Sequence, residues 1–461
     1  MLTGRALTRR RYVRAAMAGG FGIGLAACGA GQSGAGGEAQ PKPVTQRTKI
    51  EWWTGWGATG LSADMFKKVE EAANQVENRS YDVTLTPQSS VAKKLVEVTA
   101  AGAPPDVQVG NLSYAEFWAK GIVIPLDKWL NKSKAIKKDD LLASSWRYGS
   151  YKGKVYGVPA VEGFVRWGLA ANEELLQKRG YSASQIPSTW DDLYAWQKEL
   201  TILDPGTKAV TQLGIDPRNA MGGGAGGGDP FYWGPAWNFK YYDEGKEAFN
   251  LSDPKFEAVV TMMKRFYDVA GGLAAVKEFR KTYGTWSGAK SGIALGGEVM
   301  QINGYWTPGE LAKNAPDKKY AYTWVPVPQE RKGKKLQATG GHFVVIPQGA
   351  KSPDPAFEFI EFLTGEKAEQ IIFDGTGWIG ARKSFLTKLD GSKYRGLDFF
   401  VKSASGADET WETAVNPIEG YFSDELGKAL DSIMLGEQGP KAALQELQRK
   451  CTEELRQRLA K

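Results

Sequence analysis

The sequence has two cysteines and one histidine in 461 residues. Two cysteines cannot build a disulfide framework or a cysteine-based metal site. A single histidine, His342, removes most zinc sites and most His-based catalytic arrangements. Apolar length is missing where a span would be sought. Residues 15–27, AAMAGGFGIGLAA, are too few and too rich in glycine to make a good spanning helix. A strong excess of one charge is missing too. Residues 1–27 contain five arginines and no acid, and without them the formal charge falls from +7 to +2. Basicity of that kind serves targeting. No basic run interleaved with aromatics points to a nucleic-acid partner.

Aromatics are abundant, with 16 Trp and 18 Tyr. Many stand beside Gly, Asn or Asp, a setting that suits stacking on ligands with flat apolar faces such as sugars. Length favours two domains over one.

The N-terminal residues read as an export segment. Arg5, Arg9, Arg10, Arg11 and Arg14 precede the short apolar run. Leu25-Ala26-Ala27-Cys28 has the layout of a lipoprotein processing box. Residues 1–27 are therefore expected to be a signal peptide, and Cys28 to carry a lipid anchor of the palmitate type. Thr8–Arg14, TRRRYVR, resembles a twin-arginine export motif. Residues 28–47, rich in Gly, Ala, Ser, Gln and Pro, read as a flexible tether.

From residue 48 strands and helices alternate for about 100 residues, the pattern of a parallel sheet with helices on its faces. Ligands of such sheets bind at the carboxyl ends of strands. Here those ends carry Trp53, Trp56 and Asn111. Residues 151–162, YKGKVYGVPAVE, read as a hairpin around Gly153. Thr189 is placed to cap a helix. Residues 221–229, MGGGAGGGD, lack the Lys-Ser/Thr of a phosphate loop. Residues 230–238, PFYWGPAWN, are dense in aromatics beside a prospective cleft. The stretch 290–306, KSGIALGGEVMQINGYW, is the expected centre of function. SGIAL reads as a buried strand, MQIN as an alternating strand, and Asn303-Gly304 as a turn that delivers Tyr305 and Trp306. Trp306 is expected to present its ring to a ligand and Tyr305 to point away and pack. Residues 339–347, TGGHFVVIP, read as a strand with glycine before it. Residues 375–385 read as a loop with Trp378 and Arg382. The last helices are expected over 425–435 and 441–460, with Leu444, Leu447, Cys451, Leu455 and Leu459 on one face.

Three segments in order resemble the extracellular solute-binding proteins of ABC importers, in the sugar-binding cluster. KVYGVPAVEGFVRWGLAANEELL is similar to the family's first crossover between lobes, MQINGYW to its segment ending in a ligand-stacking Trp, and GGHFVVIPQGAKSPDPAFEFIEFLTGEKAEQ to its second crossover. The resemblance implies an α/β, two-lobed periplasmic-binding-protein fold of type II with a hinge between lobes. It places the first lobe at 48–160 plus 346–400 and the second at 163–342 plus 405–461. It implies a sugar or polyol ligand, ABC permease partners, a monomer, a membrane contact through lipid alone, no metal, no cofactor and no enzymatic activity. Carried onto this sequence, the resemblance marks Trp306, Glu162, Asp229, Pro230 and Phe231, with Tyr232 or Trp233 as near alternatives; Trp56 and Asn111 at the strand ends, and Trp378, Arg382 and Tyr421, complete the expected ligand set. Glu162 is equally readable as a surface acid paired with Arg166. The readings from other classes are a carbohydrate-active lipoprotein enzyme with paired carboxylates and a lipoprotein scaffold without a small ligand.

Overall fold

The computed structural model describes residues 46–56, 60–110, 114–218, 234–284, 287–412 and 414–460. The strands in chain order are β1 (Thr48–Thr54), β2 (Tyr81–Pro87), β3 (Val107–Val109), β4 (Ser150–Tyr151), β5 (Lys154–Val155), β6 (Val158–Pro159), β7 (Gly168–Asn172) and β8 (Ile202–Leu203). They continue as β9 (Val210–Ile215), β10 (Tyr242–Asp243), β11 (Ala248–Phe249), β12 (Glu298–Asn303), β13 (Tyr320–Thr323), β14 (Leu336–Thr339), β15 (Phe343–Val345) and β16 (Glu409–Glu412).

The first sheet has the order β2-β1-β3-β15-β6. β1, β2 and β3 are parallel, with Thr48 opposite Tyr81 and Trp52 opposite Val107. Parallel neighbours need crossovers, and the helices Leu61–Ala73 and Val91–Ala100 supply them. The first of these buries Met65, Phe66, Val69, Ala72 and Ala73, a stripe at helical spacing. It packs on the fully buried Trp52, whose ring lies 5.5 Å from Phe66 and 5.1 Å from Phe359. β15 runs antiparallel to β3 and β6, which closes the sheet with chain from much later in the sequence.

The second sheet has the order β13-β7-β12-β9-β8, in which only β12 and β9 are parallel. Its core is the larger and includes Trp190, Phe256, Phe266 and the C-terminal helices Glu419–Leu435 and Pro440–Leu459. Leu444, Leu447, Cys451 and Leu455 are buried in it as the spacing predicts, whereas Leu459 is 40% exposed. The Thr189 cap forms: its hydroxyl accepts from the Asp192 amide at 3.2 Å. Among the described residues no helix is long and apolar enough to cross a membrane.

One local expectation needs correction. SGIAL is not a strand. Gly292–Leu295 is a short helix, because Ser291 caps it by accepting from the Ala294 amide and Gly296 ends it in the left-handed region. MQIN forms the expected strand as part of β12, and all six residues of β12 are buried. The polar ones are affordable inside only with partners. Glu298 meets Arg280 at 2.9 Å and the Asp216 amide at 3.0 Å. The strand read after the glycines in TGGHFVVIP forms as β15. β14 ends at Thr339 and pairs with β16, Gly340 and Gly341 break the strand, and β15 begins at Phe343 in the first sheet.

A small apolar cluster lies where the two sheets' chain segments meet. Phe164, Val165, Tyr305, Trp306, Phe373, Ile379, Phe385, Tyr394, Leu397 and Phe400 form it.

Candidate functional site between the lobes

The site is built on the two segments that cross between sheets. After β6 the chain turns sharply at Val161, where the Glu162 amide donates to the Ala160 carbonyl at 2.8 Å. Val161 holds φ at +69°, a strained region for a β-branched residue that costs on the order of 1–3 kcal/mol. The turn aims Glu162 inward. The second crossover pairs with the first: the His342 amide donates to the Glu162 carbonyl at 3.1 Å, and the Ala160 amide to the His342 carbonyl at 3.1 Å. This approach requires glycine. A Cβ on Gly341 would lie 2.8 Å from the Gly163 Cα.

Glu162 is 5% exposed, and both of its oxygens are engaged. Oε1 accepts from Arg166 Nη2 and lies 3.0 Å from His342 Nε2. Oε2 lies 3.0 Å from the Tyr305 hydroxyl, which is also 2.9 Å from the Ile379 carbonyl. Burial pushes the Glu162 carboxyl up from its ordinary value, and the Arg166 charge and Tyr305 bond pull it back. Burial, and then the Arg166 charge, hold the His342 imidazole well below its usual range. His342 is therefore neutral at pH 7, and a neutral ring with Nε2 against a carboxylate carries its hydrogen there.

Around this charged knot lie three of the expected tryptophans. The Trp56 ring is 4.4 Å from His342 and 5.3 Å from Trp378, edge-on to both. The Trp378 indole N–H lies 3.4 Å from Glu310, a carboxyl that burial pushes up to about 7. The Trp306 ring lies 5.9 Å from the Arg166 guanidinium carbon and 5.4 Å from Tyr305. Each sheet offers a glycine under a ring. A Cβ on Gly110, just after β3, would come within 2.4 Å of Trp56, and one on Gly304, just after β12, within 2.2 Å of Trp306.

Beside the knot opens a cavity of about 1200 Å³. Tyr114 and Tyr148 line it from the first lobe, Tyr241, Trp411 and Glu419 from the second, and Arg166 and His342 from the crossovers. Hydrogen bonds join the lobes at its edge. The Tyr148 hydroxyl donates to Glu419 at 2.7 Å, the Ala115 amide reaches Glu419 at 3.3 Å, and the Gly420 amide donates to Glu116 at 2.8 Å. Arg147 pairs with Glu244 at 2.9 Å and with Glu412. Aromatic side chains and paired charges around one cavity suit a ligand that is apolar on its faces and polar at its edges.

Of the residues named from sequence, Trp56, Trp306, Trp378 and Glu162 come together. Their disposition differs from expectation. Trp306 is 7% exposed and stands behind Arg166, not on the cavity wall. Tyr305 packs away from the cavity as expected, fully buried, with its hydroxyl reaching Glu162. Glu162 is a buried partner of Arg166, not a surface one. Two residues fall elsewhere. Arg382 is a staple: its guanidinium bonds Asp140 at 3.0 Å and the Thr364 carbonyl at 2.7 Å. Tyr421 packs against the second core, with Glu425, Cys451, Glu454 and Lys450 as its electrostatic neighbours, and it does not line the cavity. Arg382 is held by Asp140, remote in sequence, and Tyr421 by its own helix and the C-terminal one. Asn111, Asp229, Pro230, Phe231, Tyr232, Trp233 and Cys28 lie outside the described residues.

Sequence reasoning missed Tyr114, Tyr148, Tyr241, Trp411 and Glu419 as lining residues. They sit on helices and short strands without a motif. Arg166 and His342 carried signals, as the charge beside Glu162 and the lone histidine after a double glycine. Among the described residues no group of His, Cys, Asp and Glu is arranged to hold a metal ion.

Two lobes joined by crossing segments, with a cavity between them lined from both sides, define a capture protein. The bacterial extracellular solute-binding protein family matches residues 63–395, and the chain belongs to that family, whose members are non-enzymatic capture components of ABC transporters. No curated protein matches the sequence. Three solved structures are similar in fold. CpMnBP1 with mannotriose bound has a TM-score of 0.74 at 21% identity, covering 88% of this chain and 100% of that one. An ABC transporter solute-binding protein from Thermotoga lettingae, bound to α-D-tagatose, has 0.71 at 18%, covering 88% and 99%. One from Agrobacterium radiobacter K84, in complex with ribitol, has 0.67 at 20%, covering 89% and 100%.

Proposed function

We propose that this protein captures a neutral sugar or polyol in the cavity between its lobes and delivers it, lobes closed, to an ABC permease in the membrane. The observation that carries the reading is the cavity itself: about 1200 Å³, lined by aromatic side chains from both lobes, by the Arg166 donor, and by His342, whose Nε2–H is given to Glu162. Ring faces of Tyr114, Tyr241 and Trp411 cover apolar C–H surface, and hydroxyls meet the polar groups. Each such bond contributes roughly 0.5–1.5 kcal/mol net, so affinity needs many of them together with aromatic burial. Trp56, Trp306 and Trp378 support the floor from behind. A ligand that touches both lobes only when they are closed shifts the population to that form. The similar structures hold mannotriose, tagatose and ribitol, which agrees with this ligand class.

The same reading includes export and anchoring through residues 1–28, with Cys28 lipidated, and lobes bounded near 161 and 343. The crossover hydrogen bonds between Ala160, Glu162 and His342 support those boundaries.

The test is native mass spectrometry of the purified protein, for retained ligand, followed by thermal shift with mannotriose, α-D-tagatose and ribitol. At a hundredfold excess over Kd a ligand stabilises by about 2.7 kcal/mol, well within detection. Retention of a sugar or a shift with one of these supports the reading. A retained peptide or metal complex, or turnover of an oligosaccharide, overturns it. Metabolic labelling with palmitate, lost in Cys28→Ala, tests the anchor.

A further inference from the structure

The geometry points to Arg166, rather than Glu162, as the side chain that meets the ligand at the floor of the cavity, with Glu162, Tyr305 and His342 as the residues that position it. The assignment rests on the sugar or polyol reading above and names the group through which that site recognises its ligand.

Three observations carry it. First, Arg166 and His342 line the cavity, and Glu162 and Tyr305 do not. Second, Glu162 is committed. It is 5% exposed, its Oε1 faces Arg166 and His342, and its Oε2 faces Tyr305. A ligand hydroxyl could reach it only by displacing one of these partners. Third, the Arg166 guanidinium is held from several directions. Nη2 meets Glu162, the Trp306 ring lies 5.9 Å beneath its central carbon, and its backbone amide is tied to the Ala338 carbonyl at 2.9 Å. Gly340 leaves the space it occupies, for a Cβ there would stand 3.1 Å from Nε.

The chemistry follows from the group. A guanidinium is a planar fork of five donors that never loses its proton. It recognises acceptors, and adjacent hydroxyl oxygens of a polyol fit the fork in pairs. Glu162 neutralises its charge, and Arg147 at the rim is matched by Glu244 and Glu412. The floor therefore favours a neutral ligand with vicinal hydroxyls over an anion. Trp306 acts through Arg166, as the face over which the guanidinium lies.

Titration calorimetry with mannotriose, maltotriose, α-D-tagatose and ribitol tests the assignment in wild type, Arg166→Gln, Arg166→Lys, Glu162→Gln and Tyr305→Phe, each checked for folding by thermal melt. Arg166→Gln is expected to weaken binding about tenfold or more, the loss for a hydrogen bond to a charged donor. Arg166→Lys, which keeps the charge without the fork, is expected to recover part of that loss. If Arg166→Gln does not fold, Arg166→Lys carries the test, and it must weaken binding at least threefold. Glu162→Gln and Tyr305→Phe are expected to weaken binding less than Arg166→Gln. A positioning role has its own readout, because His342 is the only histidine and gives one imidazole signal by NMR. In Glu162→Gln the fixed Nε2–H form is expected to be lost, and an unchanged His342 signal overturns the positioning role. Binding unchanged in Arg166→Gln, or a larger loss in Glu162→Gln than in Arg166→Gln, overturns the assignment alone. No wild-type binding to any of the four probes overturns the sugar reading and this assignment with it.

Discussion

Tyr148 donates its hydroxyl hydrogen to Glu419 Oε1 at 2.7 Å, tying the first-lobe helix Ala143–Tyr148 to the first residue of the second-lobe helix Glu419–Leu435. Glu419 is enclosed by both lobes. The helix Tyr114–Lys120 brings the Ala115 amide and Glu116, itself paired with Lys120, and Tyr241 approaches from the second lobe. Burial pushes the Glu419 carboxyl up to about 7, and Glu116 adds to the rise against the hydrogen bonds from Tyr148 and Ala115. A raised carboxyl makes the closed form take up a proton. Its contribution is full below the ordinary carboxylate range and is lost as pH rises through about 7. Ligand affinity is therefore expected to fall by up to about tenfold from pH 6 to pH 8, the limit linkage sets for this shift. Calorimetry across that range should give a flatter profile in Glu419→Gln, and an equal slope in both proteins would refute the latch.

The glycines beneath the tryptophans make a second prediction. Gly110 holds φ at +82°, and any Cβ there strikes the Trp56 ring. Gly304→Ala would likewise drive its methyl into Trp306. Each alanine variant should lose about 1–3 kcal/mol of stability from strain and displaced packing. Each should also weaken ligand binding, Gly304→Ala by displacing the ring under Arg166. Chemical denaturation and calorimetry check both, and full retention of affinity would separate the rings from the site.

Arg382 is expected to matter for stability alone. Burial would raise its partner Asp140, yet the Ser384 hydrogen bonds and the Arg382 charge outweigh it and hold the carboxyl below its ordinary value. The stabilisation from such a depressed acid is present at neutral pH and lost as pH falls through the lowered value. Arg382→Ala should cost about 1–3 kcal/mol, the range for breaking a hydrogen bond to a charged group. It should leave ligand affinity unchanged. A large affinity loss in a folded variant would return Arg382 to the ligand set.

Cys451 is fully buried, and burial pushes its thiol up to about 12. The thiolate is the reactive form. In a Cys28→Ser background, a maleimide should leave the native protein unlabelled and modify it once per chain in denaturant. Rapid native-state labelling would contradict the packing of the C-terminal helix against the second core.

Local sequence was informative wherever one element answers to its own residues. β2 matches its pattern of Tyr81–Pro87, the helix Pro254–Val269 begins where Asp253 caps it, and Cys451 packs on the face its spacing defines. Reading failed where four or five residues decide little by themselves. SGIAL has the apolarity of a strand, but a capping serine and a left-handed glycine turn it into a helix. TGGHFVVIP carries its strand after the glycines as read, and those glycines let the chain leave one sheet for the other.

The candidate site shows the same division. Residue chemistry and order marked Glu162, Trp56, Trp306 and Trp378, together with the crossovers that carry them. Whether each side chain faces ligand or neighbour was settled by contacts across long separations. Glu162 meets Tyr305 143 residues away, Arg382 meets Asp140 242 residues away, and Tyr148 meets Glu419 271 residues away. The sequence by itself determined that the chain alternates strands and helices, and the segments that resemble the family pointed to crossings near 161 and 343 with aromatics close by. Only the tertiary structure decided that Glu162 is held and Arg166 exposed to the cavity, because burial and charge pairing depend on which distant segments the fold brings to the same place.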